Sequence, residues 1–138
     1  MGIGMNKDEL EKNEALTEFL VKDLNKNQKL PYNNDNFDVV LCQLSIDYLT
    51  NPIAIMKEAG RVLRPGGIII VSFSNRVFID KAISGWTGKS DLVHIGSVGD
   101  YIHFSGEFSD SSIHAIDLTK SNRRGGDPLY VVMATRGK

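Results

Sequence analysis

The sequence has little of what marks membrane proteins, secreted proteins and nucleic-acid-binding proteins. The apolar run at residues 68–71, with Phe73 close behind, is far shorter than the roughly 20 residues of a membrane-spanning helix. The first six residues lack the positive charge and apolar stretch of a secretory signal, so we expect a cytoplasmic or organelle-matrix location. With 16 Lys and Arg against 17 Asp and Glu, the net charge of -1 offers no basic face, so neither nucleic acid nor a membrane is an expected partner.

Cysteine is nearly absent, since Cys42 is the only one in the sequence. A single cysteine excludes an internal disulfide and a cysteine-based metal cluster. The three histidines, His94, His103 and His114, show no regular metal-ligand spacing, and positions on helix faces or on the surface explain them better. We therefore expect no metal site.

The length and composition are those of one folded domain. The chain has 138 residues, of which 41% are hydrophobic and 24% charged, and this balance argues against a disordered or collagenous protein. A chain of this length buries roughly 65–70% of its unfolded surface, which is enough for a core without covalent staples. We expect residues 1–138 to form a single domain.

The first third of the chain contains one helix, one strand and one strong turn. Asn6 with Glu9 has the outline of a capping box, which predicts a short helix. The apolar residues at 17–21 predict a short strand that ends in a polar loop. Pro31 and the amide-rich residues 33–36 then predict a turn, because short amides bond to nearby backbone and tolerate left-handed conformations.

A strand, a helix and a second strand follow one another in the middle of the chain. Residues 37–42 form an apolar run that is typical of a strand buried on both faces in a parallel sheet. Pro52 marks the start of a helix whose apolar positions share one face. The Pro-Gly-Gly turn at 65–67 stops that helix, and residues 68–73 form the next strand. This order predicts a βαβ unit with a right-handed crossover.

The last third is less regular. Residues 77–86 and 91–104 have apolar positions at helical spacing, whereas residues 113–118 and 129–135 are typical of the two arms of an antiparallel hairpin. The prediction for the whole chain is an α/β fold in which a mainly parallel sheet carries a C-terminal antiparallel hairpin.

Two motifs carry a resemblance to a known family. They are the Phe-Asp-Val-Val-Leu strand at 37–41, which continues to Leu49, and the Arg-Val-Leu-Arg-Pro-Gly-Gly segment at 61–67, which continues to Val71. Together they resemble the fourth and fifth strands of class I S-adenosylmethionine-dependent methyltransferases of the ubiquinone/menaquinone type, which act on small molecules. The resemblance implies a Rossmann-like sheet.

The resemblance starts late in the family's pattern. The family's first strand and its glycine-rich loop, which approaches the cofactor's amino-acid tail, have no counterpart before Gly2. The Gly2-Ile3-Gly4 segment is more typical of a flexible or truncated terminus than of that loop. Gly4 stands where the family has the acid that holds the ribose hydroxyls. The resemblance therefore implies a truncated domain without its first strand, with weak or absent binding of S-adenosylmethionine.

The resemblance also implies candidate site residues. Those for the cofactor follow two of the predicted strands: Asp23, which would face the adenine amino group, and Leu24, Leu44 and Ser45. Asp47 and Arg76 would orient the substrate, and they lie beyond the carboxyl ends of their strands, where open α/β sheets bind ligands. Each of the three charged residues also has a simpler explanation: a solvated turn for Asp23, the cap of the next helix for Asp47, and a solvated loop for Arg76.

The first functional hypothesis is a methyltransferase, or the later part of one, that acts on a small molecule. Methyl transfer from a sulfonium needs mainly positioning of the acceptor, so the substrate side can vary widely.

The second hypothesis is a non-catalytic methyltransferase-like module that acts by binding or assembly. Without the family's first strand, one edge of residues 37–42 is left unpaired, and an exposed apolar edge favours association. We expect the gap to be filled either by the strand at 17–21 or by a second copy of the chain in a homodimer.

The third hypothesis is an unrelated flavodoxin-like nucleotide-binding domain. It requires a phosphate-binding loop after a first strand, and the residues before Asn6 do not supply one.

Overall fold

A computed structural model describes residues 1–75, 83–84, 86–119 and 127–137. Its strands are β1 (Gly2–Gly4), β2 (Phe19–Val21), β3 (Phe37–Gln43), β4 (Leu63–Phe73), β5 (His114–Asp117) and β6 (Tyr130–Thr135). Its helices are α1 (Lys7–Glu11), α2 (Pro52–Val62) and α3 (Asp91–Ser105). Within these described ranges, the helices are too short or too polar to cross a membrane.

The larger sheet has four strands in the order β3-β4-β6-β5. Strands β3 and β4 pair in parallel, and α2 connects them, so the predicted βαβ unit is confirmed. Strand β6 pairs antiparallel with both β4 and β5, which confirms the predicted C-terminal hairpin. The chain therefore has the predicted α/β fold class.

Strands β1 and β2 form a separate two-stranded parallel sheet. The interpretation of Gly2-Ile3-Gly4 as a flexible terminus is wrong, because the Gly2 amide donates to the Glu18 carbonyl and the Lys22 amide to the Gly4 carbonyl, both at 2.9 Å. The expectation that residues 17–21 fill the gap beside β3 is also wrong, since β2 pairs with β1 instead.

Among the residues that the structure describes, β3 is an edge strand of its sheet, and only one of its faces is covered. Val40 and Cys42 pack against the core, but Val39 and Leu41 remain 48% and 66% exposed. The prediction that this strand is buried on both faces is therefore wrong. An apolar run does not reveal whether a second layer or a neighbouring strand is present to cover it.

Strand β4 begins at Leu63, five residues earlier than the sequence predicted. The Pro-Gly-Gly segment lies within this strand as an irregularity, because Phe37 pairs with Leu63 whereas Val39 already pairs with Ile68. Gly66 allows this irregularity within β4, because its φ of 81° is a left-handed conformation that glycine adopts without steric cost.

The core lies between the larger sheet and the helices α2 and α3. Asn51 caps α2 by accepting a hydrogen bond from the Ala54 amide at 3.3 Å, and Pro52 follows in the first helical position. The buried face of α2 carries Ile55, Met56 and Ala59, which join one apolar cluster with the inner residues of β4 and β6.

Helix α3 agrees with the predicted helix at 91–104 and ends at Gly106, whose φ is 75°. The predicted helix at 77–86 lies mostly outside the described residues. Of its described residues, Trp86 is fully buried in a turn.

Candidate functional site

Two loops at the carboxyl ends of β2 and β3 meet, and the side chain of Asn25 joins them. Its Nδ2 donates to the Tyr48 carbonyl at 2.8 Å, and its Oδ1 accepts from the Thr50 amide at 2.9 Å. The candidate residues after β2 and those after β3 therefore lie at one end of the molecule.

Asp23 is half-buried at the start of the turn that follows β2. Its Oδ1 accepts a hydrogen bond from the Asn25 amide at 2.9 Å, and its Oδ2 lies 3.8 Å from Lys26 Nζ. One carboxylate oxygen thus organises the turn, as the simpler explanation predicted. The other oxygen retains acceptor capacity, so the role of Asp23 toward an adenine amino group stays a prediction.

Leu24 and Ser45 both line an apolar cavity of about 290 Å³ beside β3. Ser45 Oγ lies 3.5 Å from Cys42 Sγ. Burial raises the pKa of the Cys42 thiol, and the hydrogen bond with Ser45 opposes this only in part. The thiol is therefore neutral at physiological pH and serves as a small apolar side chain rather than a nucleophile.

Leu44 has an unusual backbone conformation where β3 ends. Its φ is 49°, a left-handed value that costs energy for a residue with a side chain, and its amide donates to the Ser72 carbonyl at 2.8 Å. Strained residues of this kind cluster at ligand-binding sites. The turn at Leu44 directs Ser45 and Asp47 away from the line of the strand.

Asp47 is buried, with 7% of its surface exposed, in the 3₁₀ turn Ile46–Tyr48. Burial raises the pKa of its carboxyl group, and the positive charge that His94 can carry acts in the opposite direction. The simpler explanation of Asp47 as a helix cap is wrong, because Asn51 caps α2. A buried carboxyl group at the end of a parallel strand is typical of functional sites.

Sequence reasoning missed an aromatic cluster next to Asp47. His94 is 4% exposed, stacks on Trp86 with ring centroids 4.3 Å apart, and donates from Nε2 to the Trp86 carbonyl at 2.8 Å. Phe73 packs edge-on against Trp86 with ring centroids 5.6 Å apart. This cluster belongs to the buried core near the carboxyl end of β4, and the helix-face position predicted for His94 is confirmed.

Tyr130, at the start of β6, packs against Phe73 with ring centroids 5.9 Å apart. Its hydroxyl donates to Asp91 Oδ2 at 2.6 Å, and this hydrogen bond, with burial, raises the pKa of Tyr130 to about 12. The tyrosine is therefore a neutral donor that fixes the start of α3 against the sheet. Arg76, the other predicted substrate residue, lies outside the described residues, and its role stays a prediction.

Comparisons with known proteins identify a family and a fold. A profile of the family described as "Methyltransferase domain" matches residues 3–71. A malonyl-[acyl-carrier protein] O-methyltransferase of Marinomonas sp. (strain MWYL1) is 26% identical over 68 residues, which are 49% of this chain and 25% of that protein. A sterol 4-C-methyltransferase of Caenorhabditis elegans is 46% identical over 44 residues, which are 32% of this chain and 13% of that protein. The matched segments thus span a quarter or less of these relatives.

A solved structure shows the likeness in fold. An S-adenosylmethionine-dependent methyltransferase from Thermotoga maritima superposes with a TM-score of 0.68 at 19% identity, over 99% of this chain and 72% of that chain. At this low identity the agreement concerns the fold.

Proposed function

This chain belongs to the methyltransferase-domain family, in the class I S-adenosylmethionine-dependent group, and we propose that it takes part in methyl transfer from S-adenosylmethionine to a small molecule. The observation that carries the proposal is the junction made by Asn25, which holds the Asp23 loop beside the loop of Ser45 and Asp47. In open α/β sheets, ligands bind in the crevice at the carboxyl ends of the strands.

The residues at this junction fit the adenine end of the cofactor. The free lone pairs of Asp23 Oδ2 can accept from an adenine amino group, Leu24 can cover one face of the base, and Ser45 Oγ can bond to its edge. At the ribose end the fit is poorer. Gly4 has no carboxylate, and a Cβ there would face Leu10 at 3.4 Å.

When bound, the cofactor supplies a methyl group that its own positive sulfur already activates. The chain's residues then have to orient the acceptor and exclude water. We expect Asp47, which follows β3, to orient an acceptor's polar group, whereas Trp86 and Phe73 are 1% and 2% exposed and belong to the core. Arg76 suits an acceptor with a carboxylate or phosphate.

The two curated relatives act on different acceptors by name, an oxygen of a carrier-bound malonyl group and a carbon of a sterol. The acceptor therefore has to be inferred from this chain's own side chains.

The site is tested by titrating the chain with S-adenosylmethionine in a calorimeter. We expect measurable heat, and Asp23→Asn is the informative variant, because the oxygen of the new side-chain amide still accepts from the Asn25 amide while its amino group cannot accept from adenine. This variant should weaken cofactor binding by about tenfold. Asp8→Asn, in α1, is the matched control and should bind as the unchanged chain does. Absence of heat at millimolar cofactor would contradict the proposal.

A non-catalytic module that acts by association is the second candidate. Two features support it: Gly4 stands where the family has an acid, and in the described part of the chain one edge of β3 pairs with no strand. A homodimer through that edge stays a prediction, as does a location in the cytoplasm or an organelle matrix. No heat with cofactor, together with a dimer in sedimentation, would favour this candidate.

A further inference from the structure

Asp47 carries the most deeply buried carboxyl group in the part of the chain that the structure describes. The turn that contains it is fixed on two sides. The Tyr48 carbonyl accepts from Asn25 Nδ2 at 2.8 Å, and the Asp47 carbonyl accepts from the Ile83 amide at 3.0 Å. Asp47 is therefore held between the proposed cofactor loop and the segment that leads to α3.

No basic side chain balances this carboxyl group among the described residues. The less buried Glu58 is bonded at both carboxylate oxygens by Arg61. In contrast, Asp47 accepts a hydrogen bond from its own backbone amide, and none of the described ion pairs includes it. A carboxylate that is buried without a cation loses hydration that no protein charge replaces.

The described titratable neighbours of Asp47 are not permanent cations. Its charge acts on the Cys42 thiol and the Tyr48 hydroxyl, and burial raises the pKa of both groups, so both are neutral at physiological pH. The third neighbour, His94, donates from Nε2 to the Trp86 carbonyl at 2.8 Å. These neighbours therefore supply no fixed positive charge to the carboxylate.

We propose that Asp47 binds the protonated amino group of the methyl acceptor, so that the acceptor is a primary or secondary amine. This inference rests on the proposed function. An ammonium group supplies both the positive charge and the N–H donors that the described surroundings of Asp47 lack. A carboxylate or phosphate at the same position would be repelled, so an acidic group on the acceptor has to bind elsewhere.

The amine has to lose a proton before it accepts a methyl group. The bound ammonium group gives one proton to the Asp47 carboxylate, and burial favours this transfer because it raises the carboxyl pKa. The nitrogen lone pair then forms the bond to the methyl carbon, and the electron pair of the broken carbon–sulfur bond stays on sulfur. The product is an N-methylammonium ion. Asp47 releases its proton to solvent, so one proton is released for each methyl group transferred.

The test compares three probes that share one ring and differ in charge. They are benzylamine, which is protonated at pH 7, benzyl alcohol, which is neutral, and benzoate, which is an anion. Binding without cofactor is followed by NMR through the amide signals of Ile46–Tyr48. We expect benzylamine to bind at least about tenfold more tightly than benzyl alcohol, and benzoate to bind more weakly than either.

The titration of Asp47 itself gives a second measurement, which needs no substitution. The carboxyl carbon signal of Asp47 is followed against pH with and without benzylamine. Benzylamine should lower the pKa of Asp47, because a bound cation favours the charged form of the carboxyl group, and benzyl alcohol should not. A purely structural role of Asp47 would leave its pKa unchanged by either probe.

A pair of variants assigns the preference to one carboxyl group. Asp47→Asn should reduce the preference for benzylamine over benzyl alcohol by at least about tenfold. Asp100→Asn is the matched control, because Asp100 is an exposed acid on α3 that also has no ion pair among the described residues. This control should keep the preference, and circular dichroism confirms that both variants are folded.

Several outcomes would overturn the proposal. Equal binding of benzylamine and benzyl alcohol, or no binding of either, would show that the site does not select an amine. Tighter binding of benzoate would assign the site to an acidic acceptor, and a preference that Asp47→Asn retains would place the amine elsewhere. These measurements need no cofactor. An amine preference without heat from S-adenosylmethionine would contradict methyl transfer alone, and heat without an amine preference would contradict the amine acceptor alone.

Discussion

Arg61 and Glu58 form a two-point ion pair on α2, in which Arg61 Nε donates to one carboxylate oxygen and Nη2 to the other, each at 2.8 Å. Arg61 also donates to the carbonyls of Leu30 and Tyr32 at 2.9 and 2.8 Å, and Glu58 accepts from the Leu30 amide at 2.8 Å. The pair therefore fastens the loop before β3 to α2, and this loop carries Leu30 and Tyr32, which line the apolar cavity beside β3.

Replacement of Glu58 by glutamine should reveal this role through pH. The hydrogen bond from Arg61 lowers the pKa of Glu58 below 4.5, so its contribution to stability is present above pH 4.5 and is lost as the pH falls through the lowered value. We expect Glu58→Gln to cost about 2 kcal/mol at pH 7, and less as the pH drops below 4.5. Urea unfolding of both proteins at several pH values measures this difference in the free energy of unfolding.

Glu11→Gln is the control for this prediction, because it breaks an exposed ion pair with Lys7. It should change the free energy of unfolding by less than about 0.5 kcal/mol. An equal effect of the two substitutions at pH 7 would show that Glu58 has no special role.

Two helical glycines should respond to alanine in opposite ways. A Cβ at Gly60 in α2 would overlap the side chain of Glu107, with its Cγ at 2.7 Å, so Gly60→Ala should destabilise the fold by about 1–3 kcal/mol. Gly96 in α3 has nothing within 4 Å of a Cβ, so Gly96→Ala should stabilise by about 0.5–1 kcal/mol through helix propensity. The melting temperatures of both variants test this prediction. A Gly60→Ala variant as stable as the unchanged chain would mean that α2 and Glu107 are further apart.

Removal of the Asn25 side chain should loosen the candidate site. Asn25→Ala loses the bonds to Tyr48 and Thr50, and because these are exposed we expect a cost of about 1 kcal/mol in urea unfolding. Asn27→Ala loses one local bond to the Lys29 amide and should cost less. If Asn27→Ala proved as costly as Asn25→Ala, the junction between the two loops would not be a stabilising contact.

Asp47→Asn should stabilise the fold at neutral pH while it impairs the site. Burial raises the pKa of Asp47 above 3.8, so its protonated form favours folding, and stability falls as the pH rises from 3.8 through the raised value. The asparagine variant lacks this loss. We expect it to unfold at higher urea than the unchanged chain at pH 7 but not at pH 3, and to transfer methyl groups at least about tenfold more slowly. Lower stability of the variant at pH 7 would show that the charge of Asp47 is structurally required.

Local signals explain why the βαβ unit could be predicted from the sequence. The apolar runs of β3 and β4, the proline at the start of α2 and the glycines after Leu63 each act within a few residues. The covering of β3 could not be predicted in this way, because exposure of Val39 and Leu41 depends on which strand stands beside them. Short capping signals were equally reliable: Asn6 accepts from the Glu9 amide at 3.4 Å, as the capping box predicted.

The candidate site was only partly predictable for the same reason. Asp23, Ser45 and Asp47 follow strands, and parallel strands bring their carboxyl ends to one edge, so their proximity could be inferred. The stacking of His94 on Trp86 and the hydrogen bond of Tyr130 with Asp91 join different segments in space. No pattern of neighbouring residues in the sequence predicts such contacts.

Amide hydrogen exchange of the free chain, resolved by residue with NMR, tests most directly whether β3 has an unpaired edge beside β1. The amides of Val40 and Cys42 point toward β4, and those of Val39 and Leu41 point to the opposite side. We expect Val39 and Leu41 to exchange at least about tenfold faster than Val40 and Cys42. Equal protection of all four amides would mean that a strand already occupies this edge, and would contradict the account.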